Sequence, residues 1–238
     1  ERVCCCWPQS VARDSQRLDP SWHCAAFRKI YENWWSHFAA LRRRGGMTTI
    51  AVRPRQGAGL LVRFFYWVCK RRLGRVPGPV GVKAHQRSVL MAYGLFELAL
   101  ERRSLLSPRI KALANLKTAM EVGCRFCVDI GSSMAMEAGL SREELEGLVS
   151  PSSANFSPLE LDVLDYCIAM SATPPPPCAE QVKRLEAELG TPALVELTSV
   201  IAWENYRARF NHAIGAVEEG FTEQLCLLPG AELMSESA

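Results

Sequence analysis

The amino-acid sequence predicts an all-α fold, and three observations support this. No stretch shows the sustained two-residue alternation, rich in valine and isoleucine, that marks β-strands. From residue 57 onward, apolar residues recur at the three- and four-residue intervals of amphipathic helices. Helix start signals are frequent, namely a serine or threonine before a proline or three residues before a glutamate. We therefore expect a multi-helical bundle whose helices are joined by short loops.

The first regular helix is predicted at residues 60–73, which are apolar and basic and are followed by Gly74. Its basic residues cluster in the last turn, where the helix dipole favours cations. We expect its apolar face to pack on the core, and a helix that lies on a membrane surface or an acidic partner is the alternative. A turn at residues 77–79 separates it from a long helix predicted at residues 82–103.

Capping signals place the remaining helices. Ser107 precedes a proline, and Ser141 and Ser157 each stand three residues before a glutamate, as in a capping box. Four prolines at residues 174–177 form a stiff, extended spacer. The predicted helices are residues 108–122, 124–138, 141–149, 157–170, 181–189 and 191–217.

Residues 1–46 differ in composition from the rest of the chain. They contain three adjacent cysteines, a Trp-Trp pair and an Arg-Arg-Arg run. We interpret Met47 as a natural start and residues 1–46 as an extension that is not native. A genuine N-terminal interaction helix at residues 22–41 is the alternative. The other predicted segments are an N-terminal helix and linker at residues 47–81, a helical domain at 82–228 and a flexible tail at 229–238.

The overall composition is that of a globular protein, with 48% apolar and 22% charged residues. The net charge of +3 does not indicate nucleic-acid binding. No run approaches the roughly 18 to 20 apolar residues of a membrane span, and no secretory signal is visible. The ten cysteines are not arranged as a disulfide framework, which fits a reducing compartment. We therefore expect a cytoplasmic protein without a nucleic-acid or membrane partner.

One CxxC motif, Cys124 and Cys127, lies between two predicted helices and directly after Gly123. A helix start stabilises a thiolate and so lowers the pKa of a thiol placed there. The spacing puts both sulfurs on one helical turn, within bridging distance. We favour a redox-active dithiol, and a structural pair of buried cysteines is the main alternative.

Two further interpretations of the motif are less consistent with the sequence. A zinc half-site needs two more ligands at close spacing, whereas the four histidines are isolated and no second CxxC exists. A thioredoxin-like site needs strands around the motif, and the flanking patterns are helical. We therefore expect neither a metal nor a cofactor.

The segment Gly123-Cys-Arg-Phe-Cys-Val-Asp129 resembles the core motif of the carboxymuconolactone decarboxylase and alkyl hydroperoxidase D family. The flanking order is similar too, with a helix before the motif and a small-residue helix after it. Residues 195–198 and 204–213, followed by Gly215 and residues 219–221, resemble the closing helix of that family. The resemblance extends over residues 82–228.

This resemblance implies an all-helical domain that is usually oligomeric. In the redox members the CxxC pair serves as a peroxidase or disulfide-reducing dithiol, which implies a peroxiredoxin-type, antioxidant enzyme. The second cysteine, here Cys127, attacks the peroxide. The first, here Cys124, resolves the product and exchanges with a thiol or lipoyl protein. The expected partners are a small peroxide or another small substrate, a thiol or lipoyl protein as the reductant, and further copies of the chain.

The sequence departs from the family at two positions. The peroxidase members carry a glutamate twelve residues before the first cysteine, where this chain has Ala112. They carry a histidine four residues after the second cysteine, where this chain has Gly131. Asp129 and Glu121 are the nearest carboxylates in sequence, and each is a candidate general base.

Residues 205–212 form a second polar cluster, in which Asn205, Arg209 and His212 share a helix face. They are candidates to line a pocket above the dithiol, with His212 in place of the family histidine. The alternative is a structural helix whose arginines pair with Glu160 or Glu196 at an oligomer interface.

The missing relay leaves two alternatives to a thiol-dependent oxidoreductase. One is a lyase or hydrolase that acts on a small cyclic substrate, with the CxxC motif incidental. The other is a non-enzymatic redox sensor or scaffold.

Overall fold

The computed structural model of the chain describes residues 48–102, 104–152 and 155–222. Over these ranges it contains nine α-helices and no β-strand, which confirms the predicted all-α fold. The segments proposed at residues 1–46 and 229–238 lie outside the described residues. The helices are α1 (Leu60–Leu73), α2 (Gly78–Lys83), α3 (Arg87–Glu101), α4 (Pro108–Val122), α5 (Arg125–Glu137), α6 (Arg142–Gly147), α7 (Pro158–Ser171), α8 (Ala179–Leu189) and α9 (Thr191–Ala213).

The predicted capping signals begin three of these helices. The Ser107 hydroxyl accepts the Ile110 N–H at the start of α4. Complete capping boxes begin α6 at Ser141 and α7 at Ser157. Each cap satisfies N–H groups that have no partner within the helix, which stabilises the helix by about 1 kcal/mol.

The prediction of one continuous helix at residues 82–103 is wrong, because the chain turns between α2 and α3. Tight turn bonds from His85 N–H to Val82 O and from Gln86 N–H to Lys83 O replace the α-helical pattern. Helix α2 is buried and packs closely on the segment before α1, where a Cβ on Gly81 would lie 2.8 Å from the Val52 Cβ. The predicted end of the last helix is also too late, since α9 ends at Ala213 rather than at residue 217.

Helix α4 lies at the centre of the bundle and contributes to two core clusters. Leu113 and Leu116, both fully buried, pack with residues of α5 and of the loops around α6. Ile110 and Ala114 pack with residues of α7, α8 and α9. Fully burying a leucine side chain contributes about 1.5–3 kcal/mol, so this double contact fixes the position of α4 and of the turn that follows it.

A third core cluster joins α1, α2 and α3. It contains Val62 and Tyr66 of α1, together with Val80, Ala84 and Leu90. The expectation that the apolar side chains of α1 pack on the core is met by these two buried α1 residues, whereas Leu60, Phe64 and Trp67 are exposed.

Candidate active site

The two cysteines of the CxxC motif lie at the turn between α4 and α5. Gly123 ends α4 in the left-handed region, with φ of 75°, so the chain reverses and α5 begins at once. Cys124 is the N-cap residue of α5, and its Sγ accepts the Cys127 N–H at 3.2 Å. A disulfide joins Cys124 and Cys127, whose Cα atoms are 5.2 Å apart. The motif therefore brings the two sulfurs into bonding contact at a helix N-terminus.

Both sulfurs are buried. Cys124 is 2% exposed and Cys127 is 6% exposed, and both belong to the core cluster around Leu113 and Leu116. This burial favours reaction partners as small as a hydroperoxide. A larger partner would need the surrounding segments to move.

Asn211, on the last turns of α9, binds the second sulfur. Its Nδ2–H donates to Cys127 Sγ at 3.2 Å, and the side chain is 3% exposed. Its Oδ1 is buried and has no hydrogen-bond partner within the described part of the chain. A donor at this distance stabilises negative charge on the sulfur. Each sulfur thus receives one hydrogen bond, Cys124 from the backbone and Cys127 from Asn211.

Sequence reasoning missed Asn211 because it ranked Asn205, Arg209 and His212 ahead of it. The available signal was helical spacing. Asn211 lies three residues after the fully buried Ala208 and seven after the buried Glu204, so it belongs to the inward face of α9.

Asp129 anchors the segment that follows α9. Its carboxylate accepts the backbone N–H groups of Glu219, Phe221 and Thr222, each at 2.9 Å, and its carbonyl accepts the Thr222 hydroxyl at 2.7 Å. None of these described bonds reaches a sulfur. A role of Asp129 as a general base stays a prediction.

The two residues between the cysteines contact the same segment. Arg125 forms an ion pair with Glu218, and the Phe126 ring meets the Phe221 ring edge-on with centroids 6.2 Å apart. Arg75 donates to the Glu219 and Gly220 carbonyls from the other side. Residues 218–222 are therefore held directly beside the start of α5.

The other carboxylate candidate, Glu121, is engaged elsewhere. Its Oε1 lies 2.9 Å from the Nζ of Lys117, a lysine that is 4% exposed. The same Nζ donates to the Leu148 carbonyl at 3.0 Å. Glu121 thus compensates a buried cation, and none of its described bonds reaches a sulfur.

The polar candidates of α9 point away from the dithiol. Asn205 Nδ2 donates to the Ser171 hydroxyl at 3.3 Å, and Arg209 donates to the Ser171 carbonyl at 3.3 Å and to the Thr173 hydroxyl at 3.0 Å. Both therefore fix the end of α7. His212 is exposed on the outer face of α9. The structure does not bring these three side chains to the cysteines.

The pairing expected for the α9 arginines is also different. Glu160 binds Arg109 at 2.5 Å, and Glu196 accepts from Ser104 and from the Leu105 N–H. Arg207 instead joins a buried charged cluster inside the bundle, described below.

Apolar packing replaces the two relay residues of the family peroxidases. Ala112 packs against the core cluster that contains both cysteines. A Cβ on Gly131 would lie 3.5 Å from the Leu116 Cδ1, in ordinary van der Waals contact. The side chains that carry protons in the relay are thus replaced here by hydrocarbon.

A buried charged cluster lies further along the inward face of α9. Arg207 binds both Glu97, at 2.9 Å, and Asn115 Oδ1, at 2.9 Å, and also pairs with Glu204. Lys83 completes the cluster, with its Nζ 3.9 Å from the centre of the Phe210 ring and 4.5 Å from that of Tyr93. Lys83 and Glu204 are thereby buried, and Arg207 and Glu97 beside them are half-buried.

Burial perturbs two of these groups in opposite directions. Desolvation raises the pKa of Glu204 to about 7. Desolvation, reinforced by the neighbouring Arg207, lowers the pKa of Lys83 to about 7. Both side chains therefore titrate near neutral pH.

The remaining described cysteines do not belong to the site. Burial raises the pKa of the Cys167 thiol to about 12, and this thiol donates to the Ala114 carbonyl. Burial also raises the pKa of the Cys69 thiol. High thiol pKa values leave little reactive thiolate at neutral pH.

Comparison with known proteins supports the family. The model of the carboxymuconolactone decarboxylase family matches residues 88–167, a range that includes both cysteines. The uncharacterized protein YnjA of Escherichia coli K12 is 33% identical over 182 residues, which cover 76% of this chain and 98% of YnjA. The chain belongs to the carboxymuconolactone decarboxylase family.

Solved structures share the fold at low sequence identity. The debrominase Bmp8 superposes with a TM-score of 0.65 at 17% identity, over 74% of this chain and 95% of Bmp8. An uncharacterized peroxidase-related protein of Ralstonia eutropha JMP134, described as an alkylhydroperoxidase AhpD core, superposes with a TM-score of 0.66 at 15% identity, over 74% of this chain and 95% of that protein.

The described residues contain no group of three or more His, Cys, Asp or Glu side chains placed to hold a metal ion. In the same residues, none of the helices has the length and apolarity needed to cross a bilayer.

Proposed function

We propose that this member of the family is a thiol-dependent oxidoreductase that reduces a small hydroperoxide through Cys127 and Cys124. The observation that carries the proposal is the bonded pair of sulfurs at the start of α5, with a hydrogen-bond donor on each. Helix N-termini and N–H donors both favour the thiolate, the form that attacks a peroxide.

The reaction uses two thiols for each hydroperoxide. The Cys127 thiolate attacks one peroxide oxygen, the O–O bond breaks, and the other oxygen leaves as an alcohol after taking a proton. The Cys124 thiolate then attacks the sulfenic sulfur of Cys127, and hydroxide leaves as water with the second thiol proton. The net products are one disulfide, one alcohol and one water.

A second dithiol must reduce the Cys124–Cys127 disulfide before the next cycle. A thiol or lipoyl protein is the class of reductant we propose, because a dithiol releases the enzyme by closing its own disulfide. The attacking thiolate has to reach a buried sulfur, so the reductant needs a narrow reactive arm or a local opening of residues 218–222.

Asn211 takes over part of the role that the relay residues play in other members. Its N–H stabilises negative charge on the Cys127 sulfur, but the amide does not transfer a proton in the reaction. The proton for the leaving alcohol then comes from the Cys124 thiol or from water. We therefore expect slower turnover than in a peroxidase with a complete glutamate–histidine relay.

Serine substitutions test the proposal. With a hydroperoxide as substrate and dihydrolipoamide as reductant, Cys127→Ser should abolish consumption of the peroxide. Cys124→Ser should form a sulfenic acid on Cys127 that dimedone traps, without sustained turnover. Cys178→Ser, at a half-buried cysteine that is not part of the core cluster around the dithiol, is the matched control and should retain wild-type activity. Unchanged peroxide consumption by Cys127→Ser would refute the proposal.

Burial of both sulfurs favours a redox sensor as the second candidate. In a sensor, peroxide would oxidise the two cysteines to the Cys124–Cys127 disulfide once. Dihydrolipoamide would then reduce this disulfide too slowly to sustain a catalytic cycle. Repeated consumption of peroxide at a constant rate distinguishes the enzyme from the sensor.

A further inference from the structure

Helix α1 exposes a stripe of large apolar side chains, Leu60, Phe64 and Trp67, that the site does not use. Leu60 is 83% exposed, and Phe64 and Trp67 are each 57% exposed. They stand at helical positions i, i+4 and i+7, so they share one face. The Phe64 and Trp67 rings stack on each other with centroids 6.1 Å apart.

The opposite face of α1 attaches the helix to the protein. Val62 is fully buried and Tyr66 is 5% exposed, and both pack in the cluster with Val80, Ala84 and Leu90. The Tyr66 hydroxyl also donates to the Arg53 carbonyl at 2.6 Å. The core contact is therefore complete on one side, and the stripe is a separate surface.

Exposed basic side chains flank the apolar stripe. Arg63, Lys70 and Arg71 are exposed and lie on the same face as Leu60, Phe64 and Trp67, and the Arg71 guanidinium lies over the Trp67 ring. Residues 48–96 contain nine lysines and arginines and neither aspartate nor glutamate. The modest net charge of the whole chain thus conceals a strongly basic segment.

We propose that α1 docks this face on an anionic lipid surface and lies in the plane of the headgroups. Aromatic and leucine side chains enter the boundary between headgroups and acyl chains, while the long basic side chains reach the lipid phosphates. At 14 residues, α1 is about 21 Å long, shorter than the roughly 30 Å hydrocarbon core, so it lies on the bilayer and does not cross it. This proposal revises the expectation of a protein without a membrane partner.

Charge complementarity selects lipid over a second copy of the chain. A symmetric contact between two α1 faces would bring Arg63, Lys70 and Arg71 of one copy close to the same residues of the other. Like charges so placed repel each other. An anionic bilayer surface supplies negative charge for the basic side chains and, next to it, an apolar phase for Leu60, Phe64 and Trp67. It therefore matches both components of this face.

Co-sedimentation of the full chain with vesicles tests the proposal. We expect binding to phosphatidylcholine–phosphatidylglycerol vesicles and none to phosphatidylcholine vesicles, with loss of binding at high salt. Each basic residue near an anionic surface changes the partition coefficient about fivefold, so replacing Arg63, Lys70 and Arg71 with glutamine should weaken binding on the order of a hundredfold. Lys183→Gln, which removes one positive charge at an exposed lysine of α8, is the control for charge loss outside α1 and should bind normally.

The apolar half of the stripe is tested separately. Phe64→Ser with Trp67→Ser should reduce vesicle binding at least tenfold, while Val195→Ser, at an exposed apolar residue of α9, should not. The fluorescence difference between the wild-type chain and Trp67→Phe should shift to shorter wavelength when anionic vesicles are added. Circular dichroism checks that each variant keeps its helix content.

Three results would overturn the proposal. One is the absence of sedimentation with anionic vesicles. Another is equal binding by the stripe variants and by their controls. The third is a wild-type dimer that ignores vesicles and dissociates in the Phe64→Ser, Trp67→Ser variant, because the face would then be a contact between copies.

Discussion

Replacing Asn211 with leucine isolates the contribution of a single hydrogen bond to the reactivity of Cys127. Asn211 Nδ2–H donates to the Cys127 sulfur at 3.2 Å, and the buried Oδ1 has no partner in the described part of the chain. Leucine has the same number of side-chain heavy atoms with the same branching at Cγ, so Asn211→Leu removes the donor without leaving a cavity. A hydrogen bond to an ionised group contributes about 1.5–3 kcal/mol, which corresponds to a roughly 10- to 150-fold change in the fraction of ionised thiol.

The assay is the rate of alkylation of Cys127 after reduction, read by peptide mass spectrometry so that the other thiols do not interfere. We expect Asn211→Leu to slow alkylation at least tenfold at neutral pH. Asn205→Leu is the matched control, because Asn205 binds Ser171 and not a sulfur, and it should change the rate less than twofold. An alkylation rate in Asn211→Leu within twofold of wild type would refute the role given to this side chain.

Three further predictions concern other buried polar groups. Asp129→Ala removes the acceptor of three backbone N–H groups. We therefore expect the free energy of unfolding in urea to fall by about 3 kcal/mol and amide exchange at residues 219–222 to become faster. Unchanged exchange at these residues would contradict the anchoring role. Glu204 is protonated in the folded state up to about pH 7 but ionises near 4.5 when unfolded, so its contribution to stability falls as pH rises from 4.5 to 7. Glu204→Gln should flatten this part of the melting-temperature profile, and an unaltered slope between those pH values would show that Glu204 is not its source. Lys83 has a lowered pKa in the folded state, so its contribution to stability rises as pH increases from 7 to 10.5. Lys83→Met should remove that rise from the melting-temperature profile.

Local signals made the helices and the dithiol predictable from the sequence. The capping box at Ser157 and the glycine at position 123 each act on residues only a few positions away, so their structural effect is contained in the local sequence pattern. The spacing of Cys124 and Cys127 likewise determines that their sulfurs lie on one turn. These features needed no knowledge of tertiary contacts.

The partners of polar side chains were not predictable in this way. Asp129 is bound by residues about ninety positions away, and Asn211 reaches a sulfur 84 positions away. Helical spacing places Asn211 on the inward face of α9, but the orientation of α9 in the bundle decides that this amide faces the dithiol. The break between α2 and α3 was not marked locally either, since residues 84–86 at the turn include neither glycine nor proline.

The central claim, a dithiol that reduces hydroperoxides, is tested most directly by the stoichiometry of a single oxidation. The fully reduced chain is mixed with a small excess of hydroperoxide, and the Cys124–Cys127 bridge and the peroxide consumed are measured together over time. We predict that one peroxide disappears for each bridge formed and that neither change occurs in Cys127→Ser. Formation of the bridge without matching loss of peroxide, or equal peroxide loss in Cys127→Ser, would contradict the account.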